Sequence, residues 1–354
     1  MNKLVLIGNG FDLAHGLKTS YSDFILWYLN KSSAALISNT LYEDELITMK
    51  SQQRIKFDEY TSIKHCFELQ KIFSVITKFK SNFFQKIVNE SYESQWVDIE
   101  SRYYKEIIRL YRRIEADNSD THHGAMNELK LLNSCFDAIK RELELYLSTI
   151  DTKGLIIKDI ADNFIKYLRV YHPAEHNNIY FLNFNYTPTV ENYLVFFETS
   201  QGKEDRRAVT LNYIHGRLSD ANNPIIFGYG DEMDPHYQQI ENLNENEFLK
   251  NIKSFNYFRT NNYQSFSSFI DAEPFDVFIF GHSCGISDRI LLNSIFEHKN
   301  RNKIRIFYYK KDDSYNDYFE KTQEISRHFK AENKGKMRNV IIPFDESCPM
   351  TVNK

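Results

Sequence analysis

Short polar and glycine-rich segments that could carry chemistry occur at four separated places in this 354-residue chain. The first, Gly8-Asn9-Gly10, follows an apolar run of strand length. A turn without Cβ atoms lets backbone N–H groups approach a phosphate, and a helix that begins there adds a favourable dipole, so this turn predicts a diphosphate site. Leu13 stands at the third glycine position, so the spacing differs from a G-x-G-x-x-G fingerprint, and the chain has no P-loop motif. The alternative is a tight turn that binds no ligand.

Two further segments carry amides and an imidazole. Asn183 to Thr187 directly follows a predicted strand. Short amides there can hydrogen-bond sugar hydroxyls or hold a water, although helix capping by Asn or Thr is the common alternative. His215, followed by Gly216, ends another predicted strand. A histidine at that place could act as a general base near neutral pH, whereas most single histidines have no such role.

The fourth segment, Gly281 to Gly285, permits a different chemistry. Its sequence GHSCG fits G-x-S-x-G and lies between an apolar run and a predicted helix, as the nucleophile elbow of a serine hydrolase does. Ser283 would then need an acid and a histidine further along the chain. Acids are available at 312, 313 and 317, but His328 falls inside a predicted helix rather than on a loop. A serine hydrolase therefore stays open as an alternative.

The composition excludes several classes of protein. With 42% hydrophobic and 26% charged residues, the chain is typical of globular proteins, and its length allows one large domain or two. A net charge of −4 argues against binding to nucleic acid or to an anionic membrane. No apolar run approaches the ~18 residues of a transmembrane helix, and no signal peptide is evident. The four cysteines, Cys66 among them, form no C-x-x-C pair. We therefore expect no metal site and a cytoplasmic protein with reduced thiols.

The periodicity predicts which elements position these segments. Apolar runs that alternate with helical patterns predict an α/β fold with a doubly wound, mainly parallel sheet, formed by residues 1–30 and 176–354. Residues 31–175 are predicted to be a large all-helical insertion, because apolar residues recur at helical spacing over 69–87 and 129–150. Further strands are predicted at 209–214, 224–227, 275–280, 304–309 and 340–342, and an exposed loop at 201–207.

Within the insertion, the run WVDIE is predicted to open a helix. Trp96 and Glu100 are four residues apart and therefore share one helix face. A buried Trp with a peripheral Glu is the common arrangement. The alternative is that this face closes the cleft over the edge of the sheet.

Taken together, these segments resemble the AbiH family of bacteriophage abortive-infection proteins over essentially the whole chain. The resemblance rests on IGNGFDLAHGLKTSYSDF (residues 7–24), WVDIE (96–100), FNYT (184–187), IHG (214–216) and FGHSCGISD (280–288). The order of the motifs is also similar to that of the SIR2-type NAD-binding fold, in which a glycine turn, an Asn-containing element, a catalytic His-Gly pair and a late glycine-serine loop follow one another.

The SIR2-like order implies roles for single residues. Gly8 and Gly10 match the diphosphate-binding glycines, Asn185 matches the asparagine that orients the ribose and the attacking water, and His215 matches the catalytic histidine. The remaining residues of the implied binding site are Asn9, Phe11, Asp12, Phe24, Asn183, Tyr186, Thr187, Gly281, His282 and Ser283. The resemblance implies an antiviral protein that hydrolyses NAD or a related nucleotide as its substrate, without a metal.

Two positions depart from the SIR2 pattern, since Asp12 stands where serine is usual and Thr187 stands where aspartate is usual. The four-cysteine zinc module of protein deacetylases is missing, so deacetylation is disfavoured. A nucleotide-binding sensor or adaptor without turnover is therefore a further hypothesis. Abortive infection also implies a restrained activity, for which we expect a phage or host trigger protein or assembly into a homo-oligomer.

Overall fold

A computed structural model describes residues 1–38, 41–50, 77–94, 97–116, 119–168, 178–198 and 209–351. The predictions that involve Cys66, Trp96, the first half of the 69–87 helix and the 201–207 loop lie outside these residues. The described strands are β1 (Asn2–Ile7), β2 (Leu41–Glu43), β3 (Ile47–Lys50), β4 (Thr77–Phe79), β5 (Ile179–Asn183), β6 (Val209–Tyr213), β7 (Phe275–Phe280), β8 (Arg301–Tyr308) and β9 (Cys348–Pro349).

Helices connect these strands and cover them. They are α1 (Asn9–Ala14), α2 (Tyr21–Ser38), α3 (Asn82–Ser94), α4 (Ile99–Glu115), α5 (Ser119–Leu147), α6 (Lys158–Leu168), α7 (Glu191–Glu198), α8 (Pro235–Asn242), α9 (Lys253–Asn256), α10 (Asn262–Ala272), α11 (Arg289–Phe296), α12 (Tyr318–Arg327) and α13 (Lys334–Val340). None of the described helices is long and apolar enough to cross a membrane.

Six strands form one parallel sheet in the order β6-β5-β1-β7-β8-β9. The central strands are nearly continuous apolar runs because helices cover both faces of the sheet. One face packs against α10, α11 and α12, and the other packs against α1, α6 and α7. This confirms the predicted α/β class with a parallel sheet.

The direction of winding reverses between β1 and β7. The chain adds strands on one side of β1 first, then crosses and adds the rest on the other side. In open parallel sheets, ligands bind outside the carboxyl ends of the strands at such a reversal. The topology therefore predicts a ligand site at the carboxyl ends of β1 and β7.

The prediction that the insertion is all-helical is wrong, because β2, β3 and β4 form a three-stranded antiparallel sheet. Asp44 organises its first turn by accepting the N–H groups of Leu46 and Ile47 at 2.8 and 2.9 Å. Phe79, which the helical spacing had placed in a helix, lies in β4. Strands of three or four residues are too short to show a clear alternating pattern.

Two predicted strands of the C-terminal half are also wrong. Residues 224–227 form no strand, and Ile226 N–H donates instead to His215 O at 2.7 Å. At 340–342, Val340 ends a helix and Ile341 makes only an isolated bridge to Ile304. The last strand of the described chain is β9, whose two residues carry no periodic signal.

The core of the insertion is continuous with the rest of the molecule. Its buried cluster includes Phe227, Tyr229, Ile240 and Phe248, which follow β6 in the chain. Helix α6 falls within the predicted insertion but packs Phe164 against the parallel sheet. The division into 1–30 plus 176–354 and 31–175 stays a prediction.

Candidate functional site

The four segments meet at one cavity of about 790 Å³ at the carboxyl end of the sheet. This volume lies in the range of small-molecule sites. Eleven predicted site residues line it: Gly8, Asn9, Gly10, Asp12, Asn185, Tyr186, Thr187, His215, Gly281, His282 and Ser283. Phe11, Phe24 and Asn183 lie behind the lining and are fully buried.

The glycines bring the turn after β1 against the loop after β7. A Cβ on Gly8 would lie 2.4 Å from His282 Cα, and one on Gly281 would lie 2.0 Å from Phe11 N. Gly281 also has a φ of +69°, which side chains rarely adopt. The close approach of the two loops therefore accounts for these glycines, whether or not a ligand approaches them.

Several backbone N–H groups of the turn after β1 already donate hydrogen bonds within the protein. Gly10 N–H donates to Gly281 O at 2.8 Å, and Gly8 N–H donates to Phe280 O at 3.1 Å. Phe11 N–H donates to Gly8 O at 2.8 Å. The turn thus offers fewer free N–H groups to a phosphate than its sequence suggests, and diphosphate binding there stays a prediction.

One end of the cavity, which we call the amide end, is formed by Asp12, Asn185 and Thr187. Asn185 Nδ2 donates to Gly8 O at 3.1 Å, and the Asn185 amide is also hydrogen-bonded to Asp12. With Nδ2 held in this way, the amide oxygen remains as the acceptor. Asn183 supports the arrangement, since its Oδ1 accepts the Asn185 N–H at 3.1 Å.

Asp12 is only 1% exposed, and no cation contacts it among the described hydrogen bonds and ion pairs. Thr187 Oγ1 donates to its Oδ2. Burial raises the pKa of Asp12 to about 6, and the neighbouring polar groups of Thr187, Thr189 and Asn185 limit the rise. The Thr189 hydroxyl lies near, yet neither it nor Asp12 Oδ1 makes a hydrogen bond of ordinary geometry within the described residues.

A second part of the cavity lining, which we call the charged end, consists of Glu100, His215, Lys253 and Asp288. Lys253 Nζ lies 2.7 Å from Asp288 Oδ1 and 3.2 Å from Glu100 Oε1. His215 Nε2 lies 3.3 Å from the same Asp288 oxygen. The lysine is 1% exposed and is thus a buried cation between two carboxylates.

Helices and strands from distant parts of the chain position these four side chains. His215 continues β6, whose pairing with β5 is extended by the bond from Ile214 N–H to Asn183 O. Lys253 begins α9, Asp288 precedes α11, and Glu100 lies in the first turn of α4, where the Asp98 carboxylate accepts Ser101 N–H at 3.0 Å. Glu100 Oε1 accepts the Gly228 N–H at 3.0 Å.

The partners at the charged end separate the protonation states. Burial, helped by the Lys253 ammonium, lowers the pKa of His215 to about 3, so the imidazole is neutral at neutral pH. Burial alone would raise the pKa of Asp288, but the Lys253 ammonium holds it well below its ordinary value. Burial raises the pKa of Glu100 to about 7, with Lys253 limiting the rise.

His282 completes the surroundings of Asp288. The Cys284 N–H donates to His282 Nδ1 at 2.9 Å, so that nitrogen is an acceptor and the neutral ring carries its proton on Nε2. His282 Nε2 lies 3.6 Å from Asp288 Oδ2. Asp288 is therefore faced by a lysine and by the rings of two histidines.

The structure does not favour the serine-hydrolase alternative. Cys284, and not Ser283, has the positive φ of 57° that a nucleophile elbow places at its nucleophile, and Cys284 is fully buried. Among the described contacts, Ser283 Oγ has the Gly285 N–H as its partner, at 3.3 Å. His328 is also fully buried, and its Nε2 bonds to Cys284 O at 2.7 Å rather than to the serine.

The charge of the lining restricts the ligand. Within the described residues it contains five carboxylates and two lysines, namely Asp12, Asp98, Glu100, Asp288 and Asp317 against Lys253 and Lys321. Both lysines already contact carboxylates. A ligand that presents hydroxyls or positive charge to the charged end fits this balance better than a phosphate there.

Sequence reasoning assigned no role to Lys253 or Asp288, and for Glu100 it offered only the alternative that its helix face closes the cleft over the edge of the sheet. Glu100 is buried and lines the cavity, so it is not the peripheral glutamate of the common arrangement. Asp288 closes the motif FGHSCGISD and Glu100 closes WVDIE, so their positions at motif ends were a usable signal. Lys253 lies in an ordinary polar segment, and its burial is a consequence of the fold alone. Of the described residues, no group of His, Cys, Asp and Glu is arranged to hold a metal ion.

Comparison with known families gives one match. The model of a family described as "Bacteriophage abortive infection AbiH" matches residues 4–310, which contain all four segments of the site. No curated protein matches the chain.

Proposed function

The chain belongs to the AbiH family of bacteriophage abortive-infection proteins, and we propose that its part in this defence is to hydrolyse the nicotinamide–ribose bond of NAD⁺ or of a related nucleotide. The observation that carries the proposal is the meeting of Asn185, His215 and a buried carboxylate, Asp288, at one cavity where the winding of the sheet reverses. Counted along the chain, the sheet order 3-2-1-4-5-6 is that of dinucleotide-binding sheets.

The acidic charged end suits this reaction. The pyridinium leaves as neutral nicotinamide, so no strong general acid is needed, while positive charge develops on the ribose. Carboxylates placed beforehand around that charge lower the barrier, because they need no reorganisation when the bond breaks. Asp288, ionised beside Lys253, supplies such a group.

The amide end supports the proposal through the two departures from the SIR2 pattern. Asp12 and Thr187 contact each other directly, with the threonine hydroxyl donating to the carboxylate. A hydroxyl and a carboxylate are thus both present, as in that pattern. Each stands at the position usual for the other, and one hydrogen bond joins them. Asn185, held beside this pair, would orient a ribose hydroxyl or the attacking water.

The test is the release of nicotinamide from NAD⁺ by the purified protein. We expect His215→Ala and Asn185→Ala each to lower kcat about 100-fold or more, the usual loss when a positioned polar group is removed. His298→Ala is the matched control, because His298 lies outside the cavity lining and contacts Asp271. Equal turnover by all four proteins would contradict the roles of His215 and Asn185.

A sensor that binds a nucleotide without turnover is the second candidate. It is favoured by the lowered pKa of His215, about 3, which makes this imidazole a weak base. Saturable binding of NAD⁺ or ADP-ribose in calorimetry, without release of nicotinamide over hours, would replace hydrolysis by this function.

A further inference from the structure

Glu100 and Asp288 form a carboxylate pair with Lys253 between them. Lys253 Nζ contacts Asp288 Oδ1 at 2.7 Å and Glu100 Oε1 at 3.2 Å, so the two carboxylates lie no more than two hydrogen-bond lengths apart. Both side chains line the cavity. The segment between β7 and α11 supplies one acid of the pair and α4 supplies the other, so the site needs side chains from both halves of the chain.

The two carboxylates have unlike surroundings. Asp288 has the shorter contact to Lys253, and the ring nitrogens of His215 and His282 lie 3.3 and 3.6 Å away. Glu100 has longer contacts to Lys253, at 3.2 Å from Oε1 and 3.3 Å from Oε2, and its Oε1 also accepts one backbone N–H, from Gly228, at 3.0 Å. When neighbouring acids differ in this way, one stays ionised while the other can exchange a proton near neutral pH, which is how acid and base roles separate.

Resting on the proposed glycosidic hydrolysis, we propose that Glu100 is a further catalytic residue that accepts the proton of the attacking water while Asp288 remains ionised beside the sugar. The water oxygen forms a bond to ribose C1′, and the C1′–N bond breaks with its electron pair moving to the pyridinium nitrogen. The water proton goes to Glu100 and then to solvent. The products are nicotinamide and ADP-ribose, and no other reactant is needed.

Geometry favours Glu100 over His215 as the proton acceptor. His215 Nε2 faces Asp288 Oδ1 and the Tyr257 hydroxyl, each at 3.3 Å, and the ring also bonds to the Phe184 backbone. Its nitrogens are thus engaged inside the protein. Glu100 is 8% exposed, twice the fraction of His215, and its carboxylate borders the cavity. His215 then acts as a positioning residue for Asp288 and the ribose.

The pH dependence of the reaction depends on the groups around Glu100. Burial raises the pKa of Glu100 to about 7. The titratable groups that face it are Lys253, Asp288 and Asp98, with the hydroxyls of Tyr21, Tyr186 and Tyr257 further around and His215 and His282 beyond Asp288. Asp288 and Lys253 keep their charges across neutral pH, but burial also raises the pKa of Asp12 in the same lining to about 6. Loss of kcat below about pH 7 is therefore assigned to Glu100 only if Glu100→Gln removes it.

The experiment measures nicotinamide release from NAD⁺ between pH 5.5 and 8.5 for the wild type, Glu100→Gln, Glu100→Asp and Glu106→Gln. We expect Glu100→Gln to lower kcat about 100-fold with little change in KM and to abolish the fall of kcat at acid pH. Glu100→Asp, which keeps the carboxylate, should retain the acid limb with a smaller loss. Glu106→Gln is the matched control, because Glu106 lies on the same helix and is paired with Lys86 and Arg109 outside the cavity.

The outcomes separate this inference from the proposed function. A wild type that releases no nicotinamide overturns the proposed function, and the inference with it. An active wild type with Glu100→Gln behaving like Glu106→Gln overturns the inference alone. If circular dichroism shows that Glu100→Gln is unfolded, the wild type and Glu100→Asp decide: a kcat that is flat from pH 5.5 to 8.5 in both overturns the inference.

Discussion

The amide end and the charged end of the cavity each bury an aspartate, but they shift its pKa in opposite directions. Asp12 is 1% exposed and Asp288 is 9% exposed, so the two differ little in depth. Asp12 is held by hydroxyl and amide donors, and its pKa is raised to about 6. Asp288 contacts Lys253 at 2.7 Å, and its pKa lies well below the ordinary value. The partners of a buried acid therefore decide whether its pKa lies above or below the ordinary value.

This difference assigns the two ends different tasks. A carboxylate that stays ionised can stabilise positive charge on a sugar, which is what the charged end offers. A carboxylate surrounded by neutral donors instead fixes their orientation, and the amide end thereby holds Asn185. The cavity thus combines a positioning region and an electrostatic region.

Among the variants that test the difference between the two ends, removal of the Lys253 ammonium should change the free energy of unfolding most. Lys253→Met leaves Asp288 and Glu100 buried without a positive partner, so we expect a loss of about 3–5 kcal/mol in the free energy of unfolding. Urea denaturation at pH 7 measures it. The control is Lys250→Met three residues earlier, where the partly exposed pair with Asp137 should be worth less than about 1 kcal/mol. Similar losses for the two variants would contradict a special role for Lys253.

The ionisation of Asp12 at the amide end should make the free energy of unfolding depend on pH. The native state keeps the proton of Asp12 up to about pH 6, whereas the unfolded chain loses it near the ordinary value of 3.8, so ionisation costs stability as pH rises through this window. Asp12→Asn cannot ionise there. Its stability relative to the wild type should therefore grow by about 2.4 kcal/mol from pH 4 to pH 7, since one pKa unit corresponds to about 1.4 kcal/mol and part of the shift lies outside this interval.

Denaturation curves at pH 4, 5, 6 and 7 measure this difference. Asp162→Asn removes an exposed carboxylate paired with Lys158 and serves as the control. A constant difference between Asp12→Asn and the wild type across the four pH values would show that Asp12 is ionised in the fold as readily as in the unfolded chain.

The smallest effect concerns the hydroxyl that faces Asp12. Thr187→Val removes the donor to Asp12 Oδ2 and should cost about 2 kcal/mol at pH 7, because a hydrogen bond to a charged group is lost. The cost should shrink when Asp12→Asn is also present. Thr322→Val is the control, since Thr322 Oγ1 donates to the backbone at Phe319 O in an exposed hydrogen bond of 2.7 Å, and its loss should change stability by less than about 0.5 kcal/mol. Equal costs at 187 and 322 would contradict this reading of the amide end.

Sequence reasoning found the fold class and eleven residues of the cavity lining because both depend on local signals. The apolar runs of β1, β5 and β7 are long enough to be recognised, and Gly8, Asn185, His215 and Ser283 directly follow strands or apolar runs. The carboxyl ends of parallel strands meet at one edge, so the sequence alone predicts that these residues converge. The short strands β2 to β4 and β9 were missed, since two to four residues show no clear period.

The amino-acid sequence by itself predicted that a glycine turn, an amide segment and a histidine would lie at the end of a parallel sheet, because apolar runs that alternate with helical patterns indicate parallel strands, and the carboxyl ends of such strands share one edge. Only the tertiary structure decided which charges they meet. Lys253 and Glu100 come from segments with no motif spacing between them, and burial together removes them from water and forces them to pair with Asp288. Pairing of this kind depends on distances across the fold, which no local pattern in the chain contains.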